Sequence, residues 1–151
     1  MRKNLLILTL LFCFSVFSQN TNWTLTNKKS IRTNKNVTRS NFPENFILFS
    51  TNSTSLKNQF QNAPQRLKAN DSNVILEIPN SKGTTERFKI FEFSNFEKQL
   101  QDAFPEIRSY VGIGIDDTSA QVRISLDPKG MQAMIFRGNK NNELLNHIQM
   151  I

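Results

Sequence analysis

Three aspartates beside two predicted turns are the side chains whose type and spacing come nearest to a metal site. Asp116 and Asp117 are adjacent, and Asp127 stands at the next turn of the chain. Carboxylate oxygens are the ligands that calcium prefers, but a calcium loop needs acidic residues at alternate positions and a glycine after them. That spacing is missing, whereas aspartate commonly caps turns through the local backbone. The pattern favours turn-capping aspartates, and we expect no bound metal.

The other residues that could carry chemistry form no catalytic constellation. The chain contains a single histidine, His147, and a single cysteine, Cys13. One histidine cannot supply the several nitrogen ligands of a catalytic zinc site. Gly112 and Gly114 lack the third glycine and the following helix of a dinucleotide-binding turn. We therefore expect neither a catalytic site nor a cofactor.

The N-terminus has the parts of an export signal. Arg2 and Lys3 supply positive charge, residues 5–14 form a ten-residue apolar run, and compact residues lead to a cleavage site after Ser18. A membrane-spanning helix needs about 20 apolar residues, so this run is too short for an anchor. We predict a cleaved signal peptide over residues 1–18, export to the periplasm or the extracellular space, and no membrane association after cleavage.

Removal of this signal leaves 133 residues, enough for one domain with a modest core. Cys13 lies within the signal, so the exported chain would contain neither a thiol nor a disulfide. Its formal charge would be +5 instead of +7, and five basic residues between Lys28 and Arg39 carry much of the excess. No aromatic residues are interleaved with them, so we expect no nucleic-acid partner.

Residues 19–41 are polar, with only scattered apolar side chains. Such a segment buries too little surface to offset its ordering entropy. We interpret it as a poorly ordered leader, either a linker or a loosely held N-terminal strand. The folded domain is predicted to span residues 42–136, and residues 137–151 are predicted to be a divergent, truncated tail.

Apolar spacing predicts a strand and a helix at the start of this domain. Residues 46–49 form a compact apolar run that is typical of a buried strand. Leu56 and Phe60 follow helical spacing, and Ser53 or Thr54 is available as the N-cap.

A hairpin and a second helix are predicted next. Residues 74–78 and 86–93 are rich in strand-forming side chains and flank the turn residues 79–83. Ser94 and Glu97 have the spacing of a capping box, which predicts an amphipathic helix that a proline ends.

A glycine-alternating strand follows this helix. Val111, Ile113 and Ile115 alternate with Gly112 and Gly114, so one face is apolar and the other exposes bare backbone. The glycine face would either admit a ligand or another backbone, or lie beneath a bulky neighbour.

Two more strands complete the predicted sheet. Val122, Ile124 and Leu126 alternate with polar residues, as in a half-buried antiparallel strand. Residues 127–130 fit a type I turn, and residues 131–136 return as the partner strand. Together the elements predict an α+β fold, mainly antiparallel β-sheet with one or two short amphipathic helices.

One stretch of the chain carries an ordered series of short motifs. Residues 104–116 read FPEIRSYVGIGID, and residues 122–125 and 128–135 continue with VRIS and PKGMQAMI. This series resembles the N-terminal region of secreted bacterial reprolysin-like zinc metallopeptidases, whose precursors carry a similar FPEIKSY-x-G-x-G-x-D run ahead of the protease domain. Residues 75–82 are similar, more loosely, to the opening hairpin of that region.

This chain differs from the family in lacking the residues of the catalytic domain. The peptidases bind zinc through a helical His-Glu-x-x-His run and a third histidine, and this chain has neither. The similarity fades after Phe136, where the family continues into a linker and the protease. A truncated or split reading frame would account for that difference.

The resemblance implies a non-catalytic, propeptide-like accessory domain that assists folding or maintains latency. Its implied partner is the metallopeptidase catalytic domain, in cis in a full-length precursor. The expected contact surface comprises four residues: Arg108, Tyr110, Gly112 and Gly114. The alternative is a stand-alone exported module that recognises a peptide or glycan through a sheet edge. An enzyme would require an undetected constellation around His147.

Overall fold

The computed structural model describes residues 22–27, 45–138 and 141–146. The predicted signal peptide, the basic cluster of residues 28–39 and His147 lie outside these ranges. No helix in the described ranges is long and apolar enough to span a membrane.

Two antiparallel sheets and two short helices make up the described part of the chain, which confirms the predicted fold class. A two-stranded sheet and the first helix come first: β1 (Trp23–Thr26), β2 (Leu48–Thr51) and α1 (Ser53–Phe60). The second helix, α2 (Lys98–Ala103), lies between the second and third strands of a larger sheet. The strands of that sheet are β3 (Ile75–Pro79), β4 (Thr85–Glu92), β5 (Arg108–Gly114), β6 (Gln121–Asp127), β7 (Gly130–Phe136) and β8 (Glu143–Leu145).

The six strands β3 to β8 pair in chain order and curve into a half-barrel. Alternate residues of each strand face inward, because successive side chains of a strand point to opposite faces. The inward side chains form one buried cluster: Leu76, Ile78, Phe88, Ile90, Tyr110, Val122, Ile124, Leu126, Met131, Ala133 and Ile135. Leu56 and Phe60 of α1 belong to the same cluster, so this helix covers the inner face.

Helix α1 lies where its apolar spacing predicted, but its cap differs. Leu56 and Phe60 are both buried. The N-cap is Asn52, whose side-chain oxygen accepts a hydrogen bond from the Ser55 amide at 3.0 Å. Asn, Ser and Thr cap helices almost equally well. The residue type alone therefore could not distinguish Asn52 from Ser53 or Thr54, the predicted N-caps.

The predicted buried strand at residues 46–49 is partly wrong. Phe46 and Ile47 precede the strand and are 41% and 43% exposed. Strand β2 begins at Leu48 and pairs with β1 rather than with the six-stranded sheet, so its residues are only half-buried. Strand β1 lies inside the polar leader, where Trp23 donates a hydrogen bond from Nε1 to the carbonyl of Glu77 at 2.7 Å. The four residues of β1 within the predicted leader therefore form an N-terminal strand.

Helix α2 has neither the predicted capping box nor a buried face. It begins at Lys98, and Glu97 at the N-cap makes no side-chain capping bond. Ser94 lies too early to cap it and instead accepts from the Phe96 amide at 3.1 Å. No residue of α2 is buried, and Leu100 is 45% exposed. The predicted helix therefore exists but contributes nothing to the core.

A buried arginine lies just beyond the predicted domain end. The side chain of Arg137 is 3% exposed, and three carboxylates surround its guanidinium. Glu86 lies 2.8 Å away, Glu143 3.1 Å and Asp117 3.2 Å. Burial lowers the pKa of Arg137, but the hydrogen bonds and charges of Glu86 and Glu143 outweigh it and raise that pKa above its ordinary value. We call these four residues the Arg137 cluster.

The Arg137 cluster joins distant parts of the sheet at one end of the half-barrel. Glu86 comes from β4, Asp117 from the turn between β5 and β6, and Glu143 from β8. Two neighbours extend it: the Asn80 side chain donates to Glu86 at 2.9 Å, and the Ser81 amide donates to Glu143 at 2.6 Å. Strand β8 therefore continues the sheet past Phe136 and is held to the β3–β4 turn. We call this the closed end.

Replacing Arg137 with methionine should destabilise the domain by about 3–5 kcal/mol, because three partly buried carboxylates lose their counter-ion. Urea unfolding followed by circular dichroism would measure this. Arg123→Met is the matched control, since Arg123 is exposed and lies 5.6 Å from the Phe93 ring; it should cost less than about 1 kcal/mol. Equal stability of Arg137→Met and the unmodified chain would show that the cluster contributes no net stability.

Candidate contact surfaces: an open groove and the outer face of the sheet

The four residues predicted to form a contact surface divide into two pairs. Arg108 and Tyr110 line an open groove. Gly112 and Gly114 are buried and face the core. All four occupy alternate positions of β5, so they point to the same inner face, but only the first pair reaches an opening.

Gly112 is buried because side chains of the neighbouring strands β4 and β6 pack closely against it. A Cβ at this position would lie 2.5 Å from Cγ1 of Val122, 2.8 Å from Cδ1 of Ile90 and 3.2 Å from Cβ of Phe88. At Gly114 a Cβ would meet the backbone carbonyl of Asp117. Of the two explanations left open for the glycines, close packing beneath bulky neighbours is the one that the geometry supports. Both glycines are buried, so neither is exposed for contact on the surface of the described residues.

The groove has a volume of about 560 Å³ and lies at the end of the half-barrel opposite the Arg137 cluster. Helix α1 forms one wall, the ends of β4, β5 and β6 form the other, and the turn after β6 contributes a proline. The lining residues are Lys57, Phe60, Gln61, Glu92, Glu106, Arg108, Tyr110, Leu126 and Pro128. We call this site the groove. Ligand sites commonly have volumes of about 300–1,000 Å³ and occur at the mouths of barrels.

Some polar groups of the groove are paired and others are not. Arg108 donates from Nη1 to Glu92 at 2.7 Å and from Nε to the Pro105 carbonyl at 2.8 Å. Within the described residues, Lys57 and Glu106 make no ion pair. The groove thus offers one fixed ion pair and two free charges of opposite sign.

The base of the groove is aromatic. The rings of Phe60 and Tyr110 contact each other, with centroids 4.4 Å apart, and both residues are buried. Burial raises the pKa of Tyr110 to about 12; the charge of Glu92 adds to the rise and that of Arg108 opposes it. The hydroxyl is therefore a proton donor at any physiological pH. It has no hydrogen-bond partner among the residues that the structure describes.

The outer face of the sheet carries a second candidate surface. In a half-solvated antiparallel sheet the outward residues are normally polar, yet four large apolar side chains face outward on β5, β7 and β8. They are Ile113, Met134, Phe136 and Leu144, exposed by 39%, 37%, 40% and 61%. Met134 is directly opposite Leu144, and Phe136 and Ile113 flank Gln121 of β6. We call these four side chains the outer apolar patch.

The aspartates act as turn and ion-pair residues. Asp127 accepts hydrogen bonds from the amides of Lys129 and Gly130, as predicted for a type I turn. Asp116 pairs with Arg87 at 2.6 Å, and the Arg87 guanidinium lowers the pKa of that carboxyl. No group of three or more His, Cys, Asp or Glu side chains in the described ranges could hold a metal ion.

Comparison of the chain with models of known protein families, with curated proteins and with solved structures gives no significant match. The two surfaces must therefore be interpreted from their own chemistry.

Two features of these surfaces were not predicted from the sequence. The outer apolar patch had a local signal, because residues 131–136 (MQAMIF) are apolar on both faces of the strand. The groove had none, because Lys57 and Arg108 are far apart in the chain and only the fold brings α1 against β5.

Tyr110 is the only tyrosine, so its ionisation can be followed directly by absorbance near 295 nm. We expect a midpoint at about pH 12 in the folded protein and near 10 after unfolding in urea. Because the folded state retains the proton longer, stability should fall as the pH rises from 10 to 12, and Tyr110→Phe should remove that component. A folded-state midpoint near pH 10 would contradict the burial of the Tyr110 side chain.

Gly112→Ala should destabilise the domain by about 1–3 kcal/mol, because the added methyl overpacks the contact with Val122 and Ile90. Gly114→Ala should cost more, since a backbone carbonyl rather than a side chain must move. Gly138→Ala is the control, because nothing lies within 4 Å of a Cβ there. In an unhindered strand, alanine stabilises relative to glycine, so a gain in thermal stability for Gly112→Ala would contradict the packing explanation.

Proposed function

We propose that this chain is a propeptide-like, non-catalytic accessory domain of a secreted zinc metallopeptidase. It would dock on the catalytic domain, assist its folding and keep it latent. The observation that carries the proposal is the outer apolar patch, because nothing in the described ranges covers these four neighbouring apolar side chains. Exposed apolar patches of this kind mark protein contact sites.

The motif series supports the proposed class of partner. The motif series covers strands β5 to β7, and three of the four patch residues lie on β5 and β7: Ile113, Met134 and Phe136. Most of the patch therefore lies on the strands that carry the resemblance to the metallopeptidase precursors. A pro-region must recognise its own protease domain, and a rigid sheet face suits that role better than a loop.

The composition of the patch also favours a protein partner. Polar side chains separate its apolar members, since Gln121 and Arg123 of β6 lie between β5 and β7 on the same face. Apolar contacts mixed with hydrogen-bonding groups are typical of interfaces that form between independently folded domains. Such a surface can remain soluble before the partner is bound.

The second candidate function is a stand-alone exported binding module. The groove favours it, because a concavity of about 560 Å³ at a barrel mouth suits a small ligand or a short segment. This candidate needs no catalytic domain as partner.

The proposal can be tested with the exported chain and the catalytic domain of a full-length reprolysin-like precursor that carries the same motif series. Added in trans, the chain should raise the yield of active protease on refolding and slow hydrolysis of a fluorogenic peptide. Met134→Asp combined with Phe136→Asp should weaken both effects at least about tenfold, because each charge would be placed at a desolvated contact. Refolding yield and inhibition constant are the two measurements.

Leu67→Asp combined with Leu25→Asp is the matched control. Both leucines are exposed, by 87% and 64%, and neither belongs to the outer apolar patch, so this variant should act like the unmodified chain. An equal loss in both double variants would exclude the patch as the specific contact. No effect of the unmodified chain at micromolar concentration would overturn the proposed function.

A further inference from the structure

Three side chains that line the groove carry hydrogen-bond donors without a partner in the described part of the chain. Lys57 has no ion-pair partner within the described residues, although it lies in the last turn of α1, where a positive charge is favourable. Arg108 uses Nη1 and Nε, and its Nη2 makes no hydrogen bond to the described part of the chain. The Tyr110 hydroxyl is the third such donor. Three donors, two of them cationic, form a suitable site for a carboxylate.

The rest of the lining limits which anion can bind. Leu126 and Pro128 add an apolar wall beside the donors. Glu92 and Glu106 lie in the same groove and would repel a polyanion such as a nucleic acid. Glu106 has no ion-pair partner within the described residues, so it can accept hydrogen bonds from a backbone amide of the ligand. A single carboxylate next to an apolar group therefore fits better than a phosphate chain.

We infer that the groove binds a peptide segment in which an apolar side chain lies next to a carboxylate. The carboxylate would contact Lys57 and the free Nη2 of Arg108, and the Tyr110 hydroxyl would donate to it or to a peptide carbonyl. The apolar side chain would pack on Leu126 and Pro128. The inference goes beyond the proposed function, because it assigns a second site on the other face of the sheet.

A glycan fits the groove less well. Sugars are commonly held by open aromatic faces, whereas the rings here pack against each other and leave Phe60 only 3% and Tyr110 only 6% exposed. The volume of about 560 Å³ is instead sufficient for a few residues of extended peptide.

The test is a binding titration of the exported chain by fluorescence polarisation. The probe is a labelled heptapeptide that carries phenylalanine next to glutamate, flanked by glycine and serine; the matched probe has glutamine in place of glutamate. We expect saturable binding of the first probe and about tenfold weaker binding of the second, because the charge-assisted hydrogen bonds are lost.

Variants of the protein test the assigned donors. Lys57→Met should weaken binding about tenfold, and Tyr110→Phe, which keeps the ring contact with Phe60, should weaken it about three- to tenfold. Lys82→Met is the control, since Lys82 is exposed in the turn at the closed end. Thermal unfolding of each variant should match that of the unmodified chain, so that lost binding is not lost folding.

Outcomes of three kinds would overturn the inference. The first is the absence of saturation at about 1 mM probe. The second is equal affinity for the glutamate and glutamine probes, or an equal loss in Lys57→Met and Lys82→Met, because either would indicate general attraction to a basic chain. The third is displacement of the probe by maltohexaose, which would assign the groove to a glycan. The Met134→Asp, Phe136→Asp variant should bind the probe unchanged, which separates this test from that of the proposed function.

Discussion

The buried guanidinium of Arg137 is the interaction on which the closed end of the half-barrel depends. A half-barrel leaves two strand edges without neighbours, and unpaired edges are prone to fray or to pair with other chains. Arg137 connects β4, the β5–β6 turn and β8 through three carboxylates, and Glu143 also accepts from the β3–β4 turn. The first and last strands of the sheet are thereby linked through charge and hydrogen bonds. A charge at 3% exposure is tolerated because its partners surround it.

At the opposite, open end of the half-barrel, the shape is determined by side-chain packing rather than by a cluster of charges. Gly112 allows Ile90 and Val122 to approach across β5, so the middle of the inner face is filled without a side chain from that position. Two residues earlier the same face carries Tyr110, which packs on Phe60 of α1 and lines the groove. The change from large residues (Arg108, Tyr110) to glycines (Gly112, Gly114) along the inner face of β5 thus separates an open mouth from a filled core. The domain has two different ends as a result.

Local patterns predicted most of the six-stranded sheet, whereas contacts between distant residues could not be predicted. The alternation in β6 and the turn at Asp127 are determined by neighbours along the chain, and both were predicted correctly. The Arg137 cluster escaped because Glu86 and Arg137 are 51 positions apart, and nothing in either residue's neighbourhood indicates the other. The second helix was predicted to be amphipathic, but spacing alone cannot tell whether a surface is present to receive its apolar side. The direction in which the glycine face of β5 points could not be predicted either, because the sequence does not show which face of the sheet α1 covers.

The two candidate surfaces lie on opposite faces of the same strand, which has a consequence for how they act. Tyr110 points inward and Ile113 outward, because their positions on β5 differ in parity. A folded partner docked on the outer apolar patch would lie across the outer face of the sheet, so it would leave the groove accessible. An extended segment in the groove would contact α1 and the strand ends and would leave the patch exposed. The two proposed contacts would therefore not exclude each other, and a single polypeptide that reached both would gain affinity through the high effective concentration of its second contact.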